Sequence, residues 1–266
     1  GTVYISPSGS DAGLCTIALP CASFDRAYKV AQPGTTVTVG VGSYPPQTMT
    51  FDSTKSGATS RVVFDLGQAT IAGNSTLWGV QHVEFRGGEW TKLTMRPSDA
   101  KGLVPGASLT TDVVVSQASM KSFLIRNAQQ VTIRDSDVGG FDVSSDLGVP
   151  KVGSYPGEDG AAEQPSRDVL IERTTFRDIT RAPGATQHAE CLFIEGGVER
   201  ITVRGSSFTN CAVFDIFVEP RGVLVSDIVF QNNMFDVPRD SDGTSSGSAV
   251  SLKGGPFRNV DISWNS

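Results

Sequence analysis

Residues 83–90 read VEFRGGEW, and residues 131–138 repeat the same pattern as VTIRDSDV. The phrase returns four more times, beginning at positions 169, 201, 228 and 260. Each copy alternates apolar and polar residues over three or four positions, which is typical of a strand with one buried face. Small or polar residues then turn the chain toward the next segment. Short strands that recur with variable insertions predict a solenoid in which successive strands stack about 4.8 Å apart.

One amphipathic helical pattern precedes the repeats, over Ser23 to Gln32. Its apolar residues, at positions 24, 27, 28 and 31, fall on one face, Ser23 can cap its start, and the Pro-Gly pair at 33–34 ends it. We expect this helix to cover the open first rung of a parallel β-helix that runs from about Val37 onward. The chain is thus predicted to be one domain over 1–266, with a cap region at 1–36.

The N-terminal segments carry a family resemblance. VYISPSGSD at 3–11, FDRAY at 24–28, AQPGTTV at 31–37 and GSY at 42–44 resemble the start of right-handed parallel β-helix proteins of the pectate-lyase-like superfamily. The resemblance extends through the repeats over nearly the whole chain. It implies an all-β, right-handed parallel β-helix. It does not select an activity, because this fold carries lyases, hydrolases, epimerases, tailspikes and adhesins.

Composition and charge exclude several classes of partner. The formal net charge is −6 and no run of basic residues occurs, which argues against nucleic-acid binding. No apolar stretch approaches the roughly 20 residues of a membrane span. The four cysteines form no CxxC pair, so disulfides are favoured over zinc, with Cys15 and Cys21 closing a short loop. The pairing of Cys191 with Cys211 is left open, and a secreted or cell-surface location is predicted.

A second set of strands precedes the repeated phrases and predicts a site. CLFIE at 191–195, DIFVE at 215–219 and AVSLK at 249–253 share inward-facing positions. The period of two then places Glu195, Glu219 and Lys253 in one outward column on consecutive rungs. Phe193 and Phe217 lie in the neighbouring outward column, and Asp215 lies in a third column on the far side of them. Extending the alignment toward the N-terminus places Asp146 and Arg126 in the same column as Glu195.

Stacked carboxylates repel one another, so they must be protonated, paired or bridged by a cation. Calcium, which prefers several carboxylate oxygens, is the predicted cofactor, held by Asp146, Glu195, Glu219 and Asp215. Lys253 and Arg221 are predicted to accept a proton or to stabilise an enolate, with Arg181 and His188 reaching in from the preceding loop. Phe193, Phe217 and Arg126 are predicted to bind substrate. The alternatives are a solvated ladder of salt bridges for the charges and a small secondary core for the two rings.

Insertions at 90–121, 147–166, 178–190 and 238–248 are expected to form the walls of a groove along this face, where a polymer could lie.

Three functions are compatible with these sequence features. The first is an extracellular polysaccharide lyase that cleaves an acidic glycan by β-elimination. The second is a glycoside hydrolase that uses two of the same carboxylates. The third is a glycan-binding or adhesion module without catalysis.

The C-terminal end lacks a capping pattern. The chain stops at Ser266, four residues after Ile262 and inside a repeat. An open rung presents unpaired backbone groups and an exposed core. We therefore expect the native protein to continue beyond Ser266 or another subunit to cover this end.

Overall fold

The structure is a computed structural model that describes residues 2–98, 108–144, 147–154, 165–182, 184, 189–236 and 247–266. Besides a single turn of 3-10 helix at Ser53–Lys55, it contains one helix, α1 (Phe24–Val30), and strands that pair in parallel. The strands are β1 (Val3–Ile5), β2 (Thr36–Val39), β3 (Ser43–Tyr44), β4 (Thr48–Thr50), β5 (Val62–Trp78), β6 (Gln81–Arg96), β7 (Thr111–Ser116), β8 (Ser119–Ile125), β9 (Gln129–Arg134), β10 (Asp137–Val143), β11 (Lys151–Ser154), β12 (Ser166–Glu172), β13 (Thr175–Arg181), β14 (Leu192–Gly196), β15 (Val198–Arg204), β16 (Ser207–Cys211), β17 (Phe214–Glu219), β18 (Val225–Gln231), β19 (Met234–Phe235), β20 (Ser248–Leu252) and β21 (Phe257–Ser263).

Strand pairing confirms the predicted right-handed parallel β-helix. Val169 pairs in parallel with Val131 on one side and with Ile201 on the other, so the repeated phrases lie on successive rungs. The parallel pairing begins earlier than predicted, because β1 already pairs with β2 through Val3 and Val37. No helix in the described part of the chain is long and apolar enough to span a membrane.

Each full turn passes through three stacks of strands. Stack A contains the repeated phrases and consists of β1, β2, β7, β9, β12, β15, β18, β21 and the first parts of β5 and β6. Stack B follows it with β3, β10, β13, β16, β19 and the start of β8. Stack C closes the turn with β4, β11, β14, β17, β20 and the last parts of β5, β6 and β8.

Inward side chains fill the solenoid with stacked apolar columns. In stack A, Phe64 lies over Phe85, with ring centroids 5.2 Å apart. In stack B, Phe176 and Phe208 stack in parallel, with centroids 4.8 Å apart. Identical positions on successive rungs thus place like side chains in contact, and burial of each ring stabilises the fold by roughly 1.5–3 kcal/mol.

The cap helix is confirmed in a shorter form than predicted. Helix α1 ends at Val30, because Ala31 adopts extended backbone angles, and the side chain of Ser23 accepts a hydrogen bond from the Arg26 amide. Phe24 and Tyr28 are fully buried, and the Phe24 ring stacks on Phe64 of the first rungs. The helix therefore covers the N-terminal end of the apolar core.

Both disulfides form. Cys15 bonds to Cys21, as predicted, and Cys191 bonds to Cys211, the pairing that the sequence left open. The second bond joins the end of β16 in stack B to the residue before β14 in stack C, across a Cα–Cα distance of 5.4 Å. It therefore ties neighbouring rungs together at the corner where stack C begins.

On seven successive rungs, the second or third residue of the stack A strand has a left-handed backbone conformation. These residues, which we call the turn ladder, are His82, Asp112, Gln130, Asp168, Arg200, Asp227 and Asn259, with φ between 52° and 59°. Each one precedes an inward valine or isoleucine. Asp and Asn tolerate left-handed angles better than other side chains do. The polar side chains pair between rungs, as Arg200 Nε does with Asp168 Oδ1 at 2.6 Å.

Two predicted insertions contain strands. The segment 90–121 was expected to be a loop, but it includes the last part of β6, all of β7 and the start of β8. The segment 147–166 includes β11. Both corrections add rungs to stack C, the stack that carries the candidate site. At the other end, Leu252 and Ile262 of the last rung are partly exposed, and a continuation of the chain or a second subunit there stays a prediction.

Candidate functional site

The predicted outward column exists on the face of stack C. Glu195 pairs in register with Glu219, and Phe193 pairs with Phe217. The Lys253 amide donates to the Val218 carbonyl at 2.9 Å, which continues the pairing past Leu252 and places Lys253 next in the column. The period of two along these strands was therefore sufficient to place these side chains.

The column continues toward the N-terminus, with one correction. The expected position of Asp146, between Arg126 and Glu195, is occupied by Gly153 of β11. Gly153 has a φ of 96°, and a Cβ at this residue would collide with the backbone carbonyl of Glu195, so no side chain fits there. Asp146 itself lies outside the described residues, as does His188.

The carboxylates of the column are paired with cations. Glu195 accepts contacts from Lys151 Nζ and from Arg221 Nε, each at 2.7 Å. Arg221 Nη2 lies 3.1 Å from Glu219, which also lies 3.2 Å from Lys253 Nζ. We call this alternating series, Lys151–Glu195–Arg221–Glu219–Lys253, the face ladder. Glu195 is the shielded member of the series, because its side chain is only 2% exposed.

The ion pairs of the face ladder leave no set of described carboxylates suited to the predicted calcium ion. Glu195 and Glu219 are neutralised by three cations, and no group of three or more acidic, histidine or cysteine side chains among the described residues could hold a metal ion. The described donors do not fit calcium, and we derive no chemistry from it. Ligation that involves Asp146 stays a prediction.

Asp215 lies on the same strand as Glu219 but in different surroundings. Its register partner is Cys191, and its side chain is fully buried. Neither carboxyl oxygen has a hydrogen-bond partner among the described residues. Burial, together with the charge of Asp236, raises the pKa of Asp215 to about 8, so this carboxyl is protonated at neutral pH. A protonated carboxyl is a poor calcium ligand.

The predicted substrate-binding residues are not open to solvent. Phe193 is 7% exposed and Phe217 is 2% exposed, and their rings contact each other with centroids 5.2 Å apart. Arg126 is also buried. The alternative of a small secondary core under a loop therefore describes the two rings better than a sugar-stacking platform does. Arg181 ends β13 in stack B, level with Val143.

The sequence analysis missed a group of cations on the upper rungs of stack C. Lys92 and Arg96 project outward from β6, Arg126 follows β8, and Lys151 lies on β11. We call these four residues the cationic cluster. They occupy three consecutive rungs, and on those rungs no described outward position of stack C carries a carboxylate. Leu93 and Met95 alternate with polar residues, and this pattern would have predicted the strand that carries Lys92 and Arg96.

Lys92 stands out within the cationic cluster. It is partly buried and makes no ion pair or hydrogen bond in the part of the chain that the structure describes. Burial lowers the pKa of Lys92, and the charges of Lys151 and Arg96 lower it further. Near it, the Arg96 guanidinium lies 5.6 Å from the ring centroid of Trp78, an aromatic side chain that also faces outward.

Comparisons with known proteins show the fold alone. No protein-family description matches the chain, and no curated protein matches it. Among solved structures, PfbA, a surface adhesin of Streptococcus pneumoniae, superposes with a TM-score of 0.60 at 13% identity, covering 92% of this chain and 68% of that one. XylC, solved in complex with xylose, gives 0.51 at 9% identity, covering 98% and 68%. An alginate lyase from Paenibacillus sp. str. FPU-7 gives 0.51 at 13% identity, covering 100% and 99%. The chain thus has a parallel β-helix fold, which the strand pairing also shows.

Proposed function

We propose that this chain is an extracellular, polysaccharide-active protein that cleaves an acidic glycan by β-elimination, with the polymer lying along the outward face of stack C. The observation that carries the proposal is the cationic cluster, which places three partly exposed cations, Lys92, Arg96 and Lys151, around the buried Arg126 on three consecutive rungs. These rungs span roughly 10 Å. A polymer with repeated carboxylates matches such a track, whereas a neutral glycan gains nothing from it.

The reaction would take place where the face ladder ends. A base removes the proton at C5 of a uronate, the C4–C5 double bond forms, the C4–O bond breaks, and the leaving oxygen takes a proton through solvent. Lys253 is our candidate base, because its side chain is the most exposed of the ladder at 63% and its ammonium proton can pass to Glu219 Oε1, 3.2 Å away, before the amine takes the C5 proton. Arg221 carries a guanidinium group, whose hydrogen-bond donors suit the enolate that develops beside it. Arg181 and His188 stay predicted contributors.

An extracellular location is supported by two features. The two disulfides are typical of proteins that fold in an oxidising compartment. One of the similar structures is that of a surface adhesin. Detection of the mature chain in culture medium or on the cell surface would test this part of the proposal.

A binding module without catalysis is the second candidate. Lys253 and Arg221 are both engaged by glutamates, and the phenylalanines beside them are buried, so this end of the face offers few unengaged groups. The similarity to an adhesin agrees with this alternative. A glycoside hydrolase is less favoured, because Glu195 and Glu219 are held by cations and Asp215 has no solvent exposure.

The decisive experiment is an activity screen on acidic and neutral polysaccharides. β-Elimination leaves a double bond conjugated to a carboxylate, so we expect ultraviolet absorbance to rise together with reducing ends, equally with and without a chelator. Lys253→Met should abolish the product, while Lys29→Met, a control on the exposed side of α1, should not. New reducing ends without absorbance would indicate a hydrolase. Binding without any product would select the binding module.

A further inference from the structure

Lys92 is the least compensated cation on the face of stack C. The described outward positions of stack C on its own rung and on the adjoining ones carry no negative charge: Arg96 lies on the strand of Lys92, Arg126 and Lys151 on the rungs below, and Asn74 on the rung above. Among the described outward positions of stack C, the first carboxylate below the cationic cluster is Glu195, which is engaged by Lys151 at 2.7 Å. In the described part of the chain, Lys92 alone of the cationic cluster makes no hydrogen bond or ion pair.

The uncharged neighbours of Lys92 cannot take over the role of a counterion. Asn74 Oδ1 accepts a hydrogen bond from Thr94 at 2.7 Å, and Ser122 Oγ donates to the Gly148 carbonyl at 2.6 Å. Neither group is hydrogen-bonded to Lys92, and neither carries the negative charge of a counterion. A half-buried ammonium with cations around it and no acceptor is costly unless a ligand supplies the negative charge.

We propose that Lys92, flanked by Arg96 and Lys151, forms an anion subsite that binds one sugar carboxylate of the glycan. This inference rests on the proposed function for the choice of an acidic glycan, but it does not require cleavage. The carboxylate would accept a hydrogen bond from Lys92 Nζ and lie between the positive charges of the two flanking residues. A charge-assisted hydrogen bond of this kind strengthens binding by about tenfold or more.

The subsite has a second measurable consequence. In the unliganded protein, burial and the two cations hold the pKa of Lys92 below its usual range. A bound carboxylate favours the charged ammonium and raises that pKa again. Ligand binding should therefore be accompanied by proton uptake at alkaline pH, between the two pKa values of Lys92.

The test is calorimetry with a tetrauronate prepared from alginate or polygalacturonate and with its carboxyl-reduced, neutral counterpart. Titrations in buffers of different ionisation enthalpy, between about pH 7 and 10, measure the protons taken up. Three variants are compared with the parent protein: Lys92→Met, Lys92→Arg, and Lys121→Met. Lys121 is an exposed lysine of β8, so its replacement matches the change in net charge.

We expect Lys92→Met to weaken tetrauronate binding by about tenfold and to abolish proton uptake. Lys92→Arg should retain most of the affinity without the uptake, since arginine does not titrate. Lys121→Met should behave like the parent protein. Equal affinity of the parent and Lys92→Met would overturn the subsite, as would equal binding of the neutral tetrasaccharide. Binding with these signatures but without cleavage would reject the lyase and keep the subsite.

Discussion

The turn ladder and the face ladder have the same construction and opposite surroundings. Both place charged side chains on consecutive rungs, where they pair with the rung above or below. In the turn ladder, Asp168 and Arg200 are 38% and 45% exposed. In the face ladder, Glu195 is 2% exposed although it contacts two cations. The first pair is screened by water on both sides, whereas in the face ladder the carboxylate is desolvated and its two cations are 25% and 41% exposed.

This difference separates a surface that keeps the protein soluble from a surface that holds charges in a fixed arrangement. An exposed pair contributes little to stability and tolerates substitution. A buried carboxylate must be neutralised, and its partners are then fixed in position. The turn ladder is thus the solvated ladder of salt bridges in this protein. The face ladder differs from it, which supports a functional interpretation of stack C.

Removal of the Glu195 carboxylate should have the largest effect on stability of the substitutions considered for the two ladders. We expect Glu195→Gln to lower the free energy of unfolding by about 2 kcal/mol, because Lys151 would lose its charged partner and Arg221 would keep only Glu219. Chemical denaturation at neutral pH measures the change. Glu199→Gln is a matched control, since Glu199 is a partly exposed glutamate in stack A that pairs with Arg200. Equal effects of the two substitutions would show that burial does not distinguish the ladders.

Asp215 is the converse of Glu195, because it is a buried carboxyl on the same face that has no hydrogen-bond partner in the described residues. Its folded pKa is raised to about 8, against about 3.9 in an unfolded chain. Between these values the folded state binds the extra proton, so stability falls as pH rises from about 4 to about 8 and then levels off. We expect Asp215→Asn to remove this slope.

At pH 9 the Asp215→Asn variant should therefore be more stable than the parent protein, by about 1–3 kcal/mol, and at pH 4 the two should be nearly equal. Thermal or denaturant unfolding across this range gives both curves. Asp261→Asn, at an exposed position of β21, serves as the control and should leave the slope unchanged. A parallel shift of the Asp215→Asn curve at all pH values would argue against a buried proton on Asp215.

The sequence was sufficient for the fold and for half of the site. Six copies of one phrase fixed the rungs of stack A, and three aligned strands placed Glu195, Glu219 and Lys253 correctly. Strands that alternate over only a few residues were missed. In β11, Val152 is the one apolar residue, so the strand resembles a loop, and Gly153 rather than Asp146 entered the column.

The contacts within the site were less predictable than its positions. Arg221 lies in the turn after β17 and bends back to Glu195 on the preceding rung, a direction that depends on its rotamer and not on the strand period. The burial of Phe193 likewise depends on what covers the face. The cationic cluster was overlooked because residues 92–96 were assigned to an insertion.

The smallest expected effect concerns the turn ladder itself. Arg200 holds the pKa of Asp168 below its usual range, chiefly through their hydrogen bond. The stability that this pair contributes is therefore present above the unfolded pKa of about 3.9 and is lost as pH falls through the lower, folded pKa. Because both side chains face water, Asp168→Asn should cost less than about 1 kcal/mol at neutral pH and nothing measurable in strong acid. The left-handed backbone at Asp168 does not add to the cost, since asparagine accepts these angles as readily as aspartate.

Denaturant titrations in low and in high salt provide the measurement, and the difference in the free energy of unfolding between Asp168→Asn and the parent protein should shrink in high salt. A loss as large as that of Glu195→Gln, or one that salt does not reduce, would mean that the two ladders contribute to stability in the same way.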